Sequence, residues 1–186
     1  MKYKVICGID YSLCGPAICC HIGDSWSYEN CIFHYLTGTK KYCDVFLGRF
    51  FGKNFDDHNS QEQRYDSISH WAHGICEGSC YVGIENYAYN ATGRVFNIAE
   101  NTGVLKYKLY QSGIPLECIN PSTIKKNATG KGNATKHMMY DAFYTETRID
   151  LIDEMKMISL NNPITDIVDS YYVCKTLFNI LKKMEE

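Results

Sequence analysis

Lys4-Val5-Ile6-Cys7-Gly8-Ile9-Asp10-Tyr11-Ser12 opens the chain with an apolar run that ends on a carboxylate. A short β-branched run of this kind predicts a buried strand over residues 4–10. An unpaired charge at the end of such a strand is costly. Asp10 therefore needs a cation, a phosphate-bearing partner or a hydrogen-bonded cage. Fold and chemistry both turn on which other residues meet it.

Outward from this stretch the chain reads as a meander. Gly15-Pro16 predicts a turn and Ala17 to Ile22 a second strand. Gly23-Asp24 predicts another turn, and Trp26 to Leu36 alternates as a third strand. Residues 37–59 hold three glycines and Phe46, Phe50, Phe51 and Phe55 without a regular period. The expectation there is a surface flap with its own apolar cluster. A substrate-contacting lid, with Arg49 and Lys53 on phosphates, is the alternative. Ser60 and Gln63 have capping-box spacing. They open a helix whose apolar face is Tyr65, Ile68, Trp71, Ala72, Ile75 and Cys76. Cys80 to Ile84 is a fourth strand, and it too ends on an acid, Glu85. A polar loop over 86–93, a helix over 94–111 and a fifth strand over 114–119 follow. Strand–helix–strand predicts parallel pairing with a right-handed crossover.

Residues 125–137 carry four lysines and no acid around Gly130 and Gly132, and read as a basic loop. Asn133 or Thr135 caps a helix to about Thr147. Pro163 suits the first position of a last helix over 163–184. Asp166 and Asp169, three apart near its start, share one face.

The 186 residues, 45% hydrophobic and 22% charged, suit one domain spanning 1–186, with 37–59 and 86–93 as loop insertions. No apolar run is long enough to cross a bilayer. The N-terminus leads straight into a strand without a signal-peptide core, so the expectation is a cytoplasmic, non-membrane protein. The ten cysteines are scattered through apolar runs and read as reduced thiols. His70, His73, Cys76 and Cys80 have helical spacing compatible with a metal, but no second ligand pair follows, and the expectation is a core-facing set with solvent-side imidazoles. A net charge of −2 announces no global nucleic-acid field, whereas the local basic segment suits phosphate.

Asp10, Glu85, Asp166 and Asp169 are the candidate acids. Singly, each has an ordinary role open to it: a turn at Ser12, an ion pair with Arg94, or a place in the positive first turns of a helix. Together, on adjacent strand ends under one helix, four carboxylates need cations. Oxygen-only ligands suit magnesium or manganese.

The order of these motifs resembles the ribonuclease H-like nucleases, and within them the RuvC-type Holliday junction resolvases. The resemblance rests on Gly8-Ile9-Asp10-x-Ser12, Ile84-Glu85, the 94–105 helix, Pro121-Ser122-x-Ile124-Lys125-Lys126, Gly130-x-Gly132-x-Ala134-x-Lys136 and Asp166-Ile167-Val168-Asp169-Ser170. It implies an α/β fold with a five-stranded mixed sheet, three antiparallel strands then two parallel, flanked by helices. It implies a homodimeric endonuclease of a phage or other virus that resolves four-way DNA junctions by paired nicks, with two Mg²⁺ ions, or Mn²⁺, on the four acids. Lys125 and Lys136 would be catalytic as well as DNA-binding. Lys126, Lys131, Tyr87, Tyr89 and Arg94 would complete the DNA contacts. A general branched-DNA or RNA–DNA hybrid nuclease is the neighbouring reading. An actin-like nucleotide-binding protein, suggested by Gly8-Ile9-Asp10-Tyr11-Ser12 alone, and a non-catalytic junction-binding module are the readings from other classes.

Overall fold

A computed structural model describes residues 5–86 and 95–185. Its seven strands form one sheet in the order β4-β5-β3-β2-β1-β6-β7. β1 (Val5–Asp10), β2 (Ala17–Ile22) and β3 (Cys31–Thr37) are the expected antiparallel meander. β6 (Tyr81–Glu85) joins β1 in parallel, and β7 (Leu116–Ile119) joins β6 in parallel. The five expected strands thus hold their expected pairing.

Two strands were not expected. Residues 37–59 contain β4 (Val45–Phe46) and β5 (Phe50–Asn54), so this segment is not merely a flap. β5 runs parallel to β3 and extends the sheet. The Phe50 ring is fully buried, stacked on Phe33 at 4.6 Å. The third strand also starts later than Trp26, because Ser27 caps a short 3₁₀ turn over Tyr28–Asn30.

The α1 helix (Gln61–Cys76) begins where its cap predicts. Ser60 Oγ accepts from Gln63 N, and Gln63 Oε1 accepts from Asn59 N. α1 packs with α2 (Val95–Gln111) on one face of the sheet, over Cys7, Ile9, Ile18, Val82 and Ile84. On the other face lie α3 (Pro121–Thr129), α4 (Lys136–Thr147), the short α5 (Leu151–Glu154) and α6 (Ile164–Glu185). The segment expected as a basic loop is therefore mostly helix. Pro121 fits the first turn of α3, and Gly130, at φ +76°, ends it in the left-handed region that glycine adopts freely.

α6 lies across β1, β2 and β6. It comes close over Gly8, where a Cβ would fall on the backbone N and Cα of Cys174. Glu146 ties α4 to α6 by accepting from Tyr171 Oη at 2.8 Å and Lys175 Nζ at 2.6 Å. Six buried thiols divide between the faces. Cys7, Cys20 and Cys76 meet under α1, with Cys7 and Cys20 sulfurs 3.2 Å apart, and Cys19, Cys31 and Cys174 meet under α6. No helix among the described residues is long and apolar enough to cross a membrane.

Candidate active site

Strand parity decides where the first two acids point. Side chains alternate across a strand. Ile9 and Ile84 pair across β1 and β6 and both face α1 and α2. Asp10 and Glu85, one residue further on, therefore stand side by side at the strand ends and face α6. Helix geometry brings the other two. From Cys174, over Gly8, to Asp169 is about 7.5 Å of helix, and from Gly8 to Asp10 is about 6.6 Å of strand. Asp169 thus comes down beside Asp10, and Asp166 lies one turn nearer the start of α6.

Electrostatics reports the same neighbourhood. Burial, then the charges of Asp169, Asp166 and Glu85, pushes Asp10 well above the carboxylate range. Burial and Asp169 raise Glu85 to about 7. Burial, with Asp169 adding to it, raises Asp166 to about 7, and burial raises Asp169 to about 6. Lys136 opposes every one of these shifts, and Lys125 opposes those of Glu85 and Asp169.

The lysines are aimed by their own helices. Lys125 is half-buried on α3, which is tied to α6 where Asn127 Nδ2 donates to Thr176 Oγ1 at 2.9 Å. Thr135 Oγ1 caps α4 by accepting from Met138 N, which puts Lys136 in the first turn. A cation there opposes the helix dipole. The nearby carboxylates offset that cost. Lys126 and Lys131 are exposed.

Asp166 has surroundings that the sequence did not suggest. Its Oδ1 accepts from Thr165 Oγ1 at 3.4 Å, while its Oδ2 is buried without a hydrogen-bond partner. A Cβ at Gly15 would collide with that same Oδ2. Gly15 is thus a close-approach glycine behind the acid. The one signal for it was Gly15-Pro16, which reads equally well as an ordinary turn. Ser12 Oγ accepts from Gly15 N at 3.0 Å and so supports this loop rather than Asp10.

Among the described residues, no three His, Cys, Asp or Glu side chains converge closely enough to form a ready-made metal cage. The acids are close enough to shift one another's proton affinity without sharing a centre. An orphaned buried carboxylate oxygen within an all-oxygen donor set still fits a hard divalent cation. Because Glu85 and Asp166 are raised to about 7, Asp169 to about 6, and Asp10 is raised as well, a cation binding there would compete with protons. The rise in melting temperature produced by Mn²⁺ should therefore be small at pH 5.5 and several degrees larger at pH 8. Thermal melts with and without metal measure it, and a shift independent of pH would exclude the acids as the ligands.

Comparison with solved structures identifies the fold. No protein-family model and no curated protein matches the sequence. Thermus thermophilus RuvC matches at a TM-score of 0.62 with 12% identity, covering 97% of both chains. The same protein in complex with a Holliday junction substrate matches at 0.65 with 11% identity, covering 97% of this chain and 96% of that one. Fowlpox virus resolvase, in complex with Holliday junction DNA, matches at 0.51 with 14% identity over 96% and 99%. The chain has the RuvC-type resolvase fold.

Within this RuvC-type fold the remaining candidates are placed as follows. Tyr87, Tyr89 and Arg94 lie outside the described residues. Arg49 is bound to Glu29 at 3.0 Å and Lys53 to Asp56 at 3.1 Å, which gives both a local partner in place of a phosphate. The His70, His73, Cys76 and Cys80 set is not brought together. His73 Nε2 meets Ser112 Oγ at 2.6 Å, Cys76 is buried in the Cys7 cluster, and His70 and Cys80 are exposed.

Proposed function

We propose that this chain is a metal-dependent endonuclease that resolves four-way DNA junctions by paired nicks, acting as a homodimer of one nuclease domain each. The observation that carries the reading is the meeting of four acids whose proton affinities are raised, Asp10 and Glu85 at the ends of two parallel strands and Asp166 and Asp169 on α6, opposed by Lys125 and Lys136. The fold adds support, since two proteins that share it were solved with Holliday junctions.

In this reading the four carboxylates hold two Mg²⁺ ions, or Mn²⁺. Bound there, divalent cations supply an activated water and Lewis-acid stabilisation of the leaving oxygen. Lys125 and Lys136 orient the scissile phosphate and balance charge growing on its oxygens. Lys126, Lys131, Tyr87, Tyr89 and Arg94 carry further DNA contacts. The test is cutting of end-labelled four-way junction, duplex, flap and RNA–DNA hybrid with Mg²⁺ or Mn²⁺, beside Asp10→Asn. Metal-dependent paired nicks in the junction, lost in Asp10→Asn, are expected. Absence of cutting in any branched DNA would refute the reading, and faster cutting of the hybrid would move it to the hybrid nucleases.

The homodimer has a candidate surface. Phe96, Tyr107 and Tyr110 are 73%, 60% and 79% exposed. With Gly103, which has open space above it, they fall on one face of α2 at spacings of 7, 4 and 3. Phe/Tyr anchors flanking a small residue suit close helix packing against a second copy. The Tyr107→Glu/Tyr110→Glu double variant should elute as a folded monomer by size-exclusion chromatography with light scattering. A wild-type dimer that persists in the variant rules this face out.

A further inference from the structure

A cavity of about 360 Å³ opens at the start of α1, outside the acid cluster. Leu13, His58, Asn59, Gln61, Arg64 and Asn97 are among its walls, and among the described residues no carboxylate lines it. Arg64 sets its character. One guanidinium nitrogen, Nη2, donates to Leu13 O at 2.6 Å, and the group sits 5.9 Å over the Phe55 ring. Its Nε is sealed from solvent with no hydrogen-bond partner. Arg49, Lys108 and Lys175, similarly half-buried, each sit on a carboxylate, whereas among the described residues none pairs with Arg64. Asp56, next to Phe55, is bound to Lys53 and Ser67, and Glu100 accepts from Tyr65 Oη. A half-buried guanidinium without a counter-ion is costly.

We propose that this cavity holds a phosphate group. Resting on the nuclease reading above, that phosphate is a backbone phosphodiester of the same DNA that reaches the acids. The chain connects the two places. Leu13 is three residues from Asp10, at most about 11 Å of extended chain, or about three base-pair steps along a duplex. At its other end the same loop sets Gly15 against Asp166. A phosphate seated on Arg64 therefore loads the loop that backs the acid cluster and fixes the DNA's register over it.

Two variants test this. Gln61→Glu places an anion on the cavity wall in the first helical turn, where acids favour the helix, so folding is retained. Arg64→Gln removes the charge. Junction and duplex affinities are measured in EDTA, where nothing is cut, across a range of salt concentrations. Each variant should bind about 10-fold more weakly, with the slope of log affinity against log salt smaller by about 1. Melting with inorganic phosphate forms a separate arm. Phosphate should stabilise the wild type and leave Gln61→Glu unmoved. That result without a DNA effect would assign the cavity to free phosphate and overturn the DNA contact. Unchanged DNA affinity, salt slope and phosphate response in both variants would overturn the proposal entirely, as would a change in base preference at constant salt slope. Because binding is read without metal, these outcomes stand apart from a failure of the nuclease reading, which shows as an absence of cutting.

Discussion

Asp166→Asn should abolish junction cutting and yet make the metal-free protein more stable at pH 8. Asp166 is 5% exposed, and its Oδ2 has no partner. Burial and Asp169 raise it to about 7, above its ordinary value of 3.8. The native state thus holds the proton more tightly than the unfolded chain does. Between about pH 4 and 7 the native state is the more protonated of the two, and stability falls as pH rises through that window. At pH 8 the ionised acid costs on the order of 2–4 kcal/mol. Asparagine has the same shape without the charge. It should raise the melting temperature by roughly 4–12 °C at pH 8, and by much less at pH 5.5, where Asp166 is already protonated in the fold. Comparing variant with wild type at each pH cancels His21 and His34, which burial lowers and which act in the opposite sense near pH 6. Activity should fall about 10³-fold or more, equivalent to about 4 kcal/mol of lost transition-state stabilisation. An Asp166→Asn protein that melts lower than wild type at pH 8 would show that the acid is satisfied without metal.

The second large effect is Gly8→Ala. A Cβ at Gly8 meets backbone atoms of Cys174, and backbone cannot swing aside as a flexible side chain can. α6 would have to lift from β1 along the contact that buries Ile167, Tyr171 and Cys174. Overpacking of this kind at a helix–sheet contact should cost about 4 kcal/mol or more. Low soluble yield, or a melting temperature lower by at least about 10 °C, is expected. Gly74→Ala, on the open side of α1, is the matched control and should be neutral to stabilising by up to about 1 kcal/mol. A Gly8→Ala protein with wild-type melting would refute the contact.

Much of this was legible from residues because local chemistry and tertiary context agree. The strand ending at Asp10, the cap at Ser60, Thr135 before α4 and Pro163 before α6 each sit where their own stereochemistry places them. The meeting of the four acids was legible because period-2 strands and period-3.6 helices project them predictably. Two elements were hidden for different reasons. β5 has no alternation of its own: its sequence is Phe-Phe-Gly-Lys-Asn, and its strand character comes from parallel pairing with β3, which no local pattern encodes. α3 was masked by its own lysines and by Gly130 and Gly132, which pointed to a loop. Its buried anchor is Ile124, and Asn120-Pro121 was its only helix-start signal. The surroundings of Asp166 stayed out of reach for a third reason. Thr165 is its chain neighbour, but Gly15 lies some 150 positions away and meets it only through folding.

The thiol trios on the two faces make the chain a built-in reporter of its own opening. Cys14, Cys80 and Cys118 are exposed and Cys43 is half-buried, while the six thiols of the trios are sealed. A brief pulse of a thiol-reactive dye on the reduced protein therefore tags the first group and spares the second until something separates. Because one trio lies under α1 and the other under α6, peptide mapping of the tagged cysteines distinguishes a breach on the α1 side from one under the helix that carries Asp166 and Asp169. No engineered label is required, and the order in which the two trios become reactive in rising denaturant gives the order in which the layers come apart.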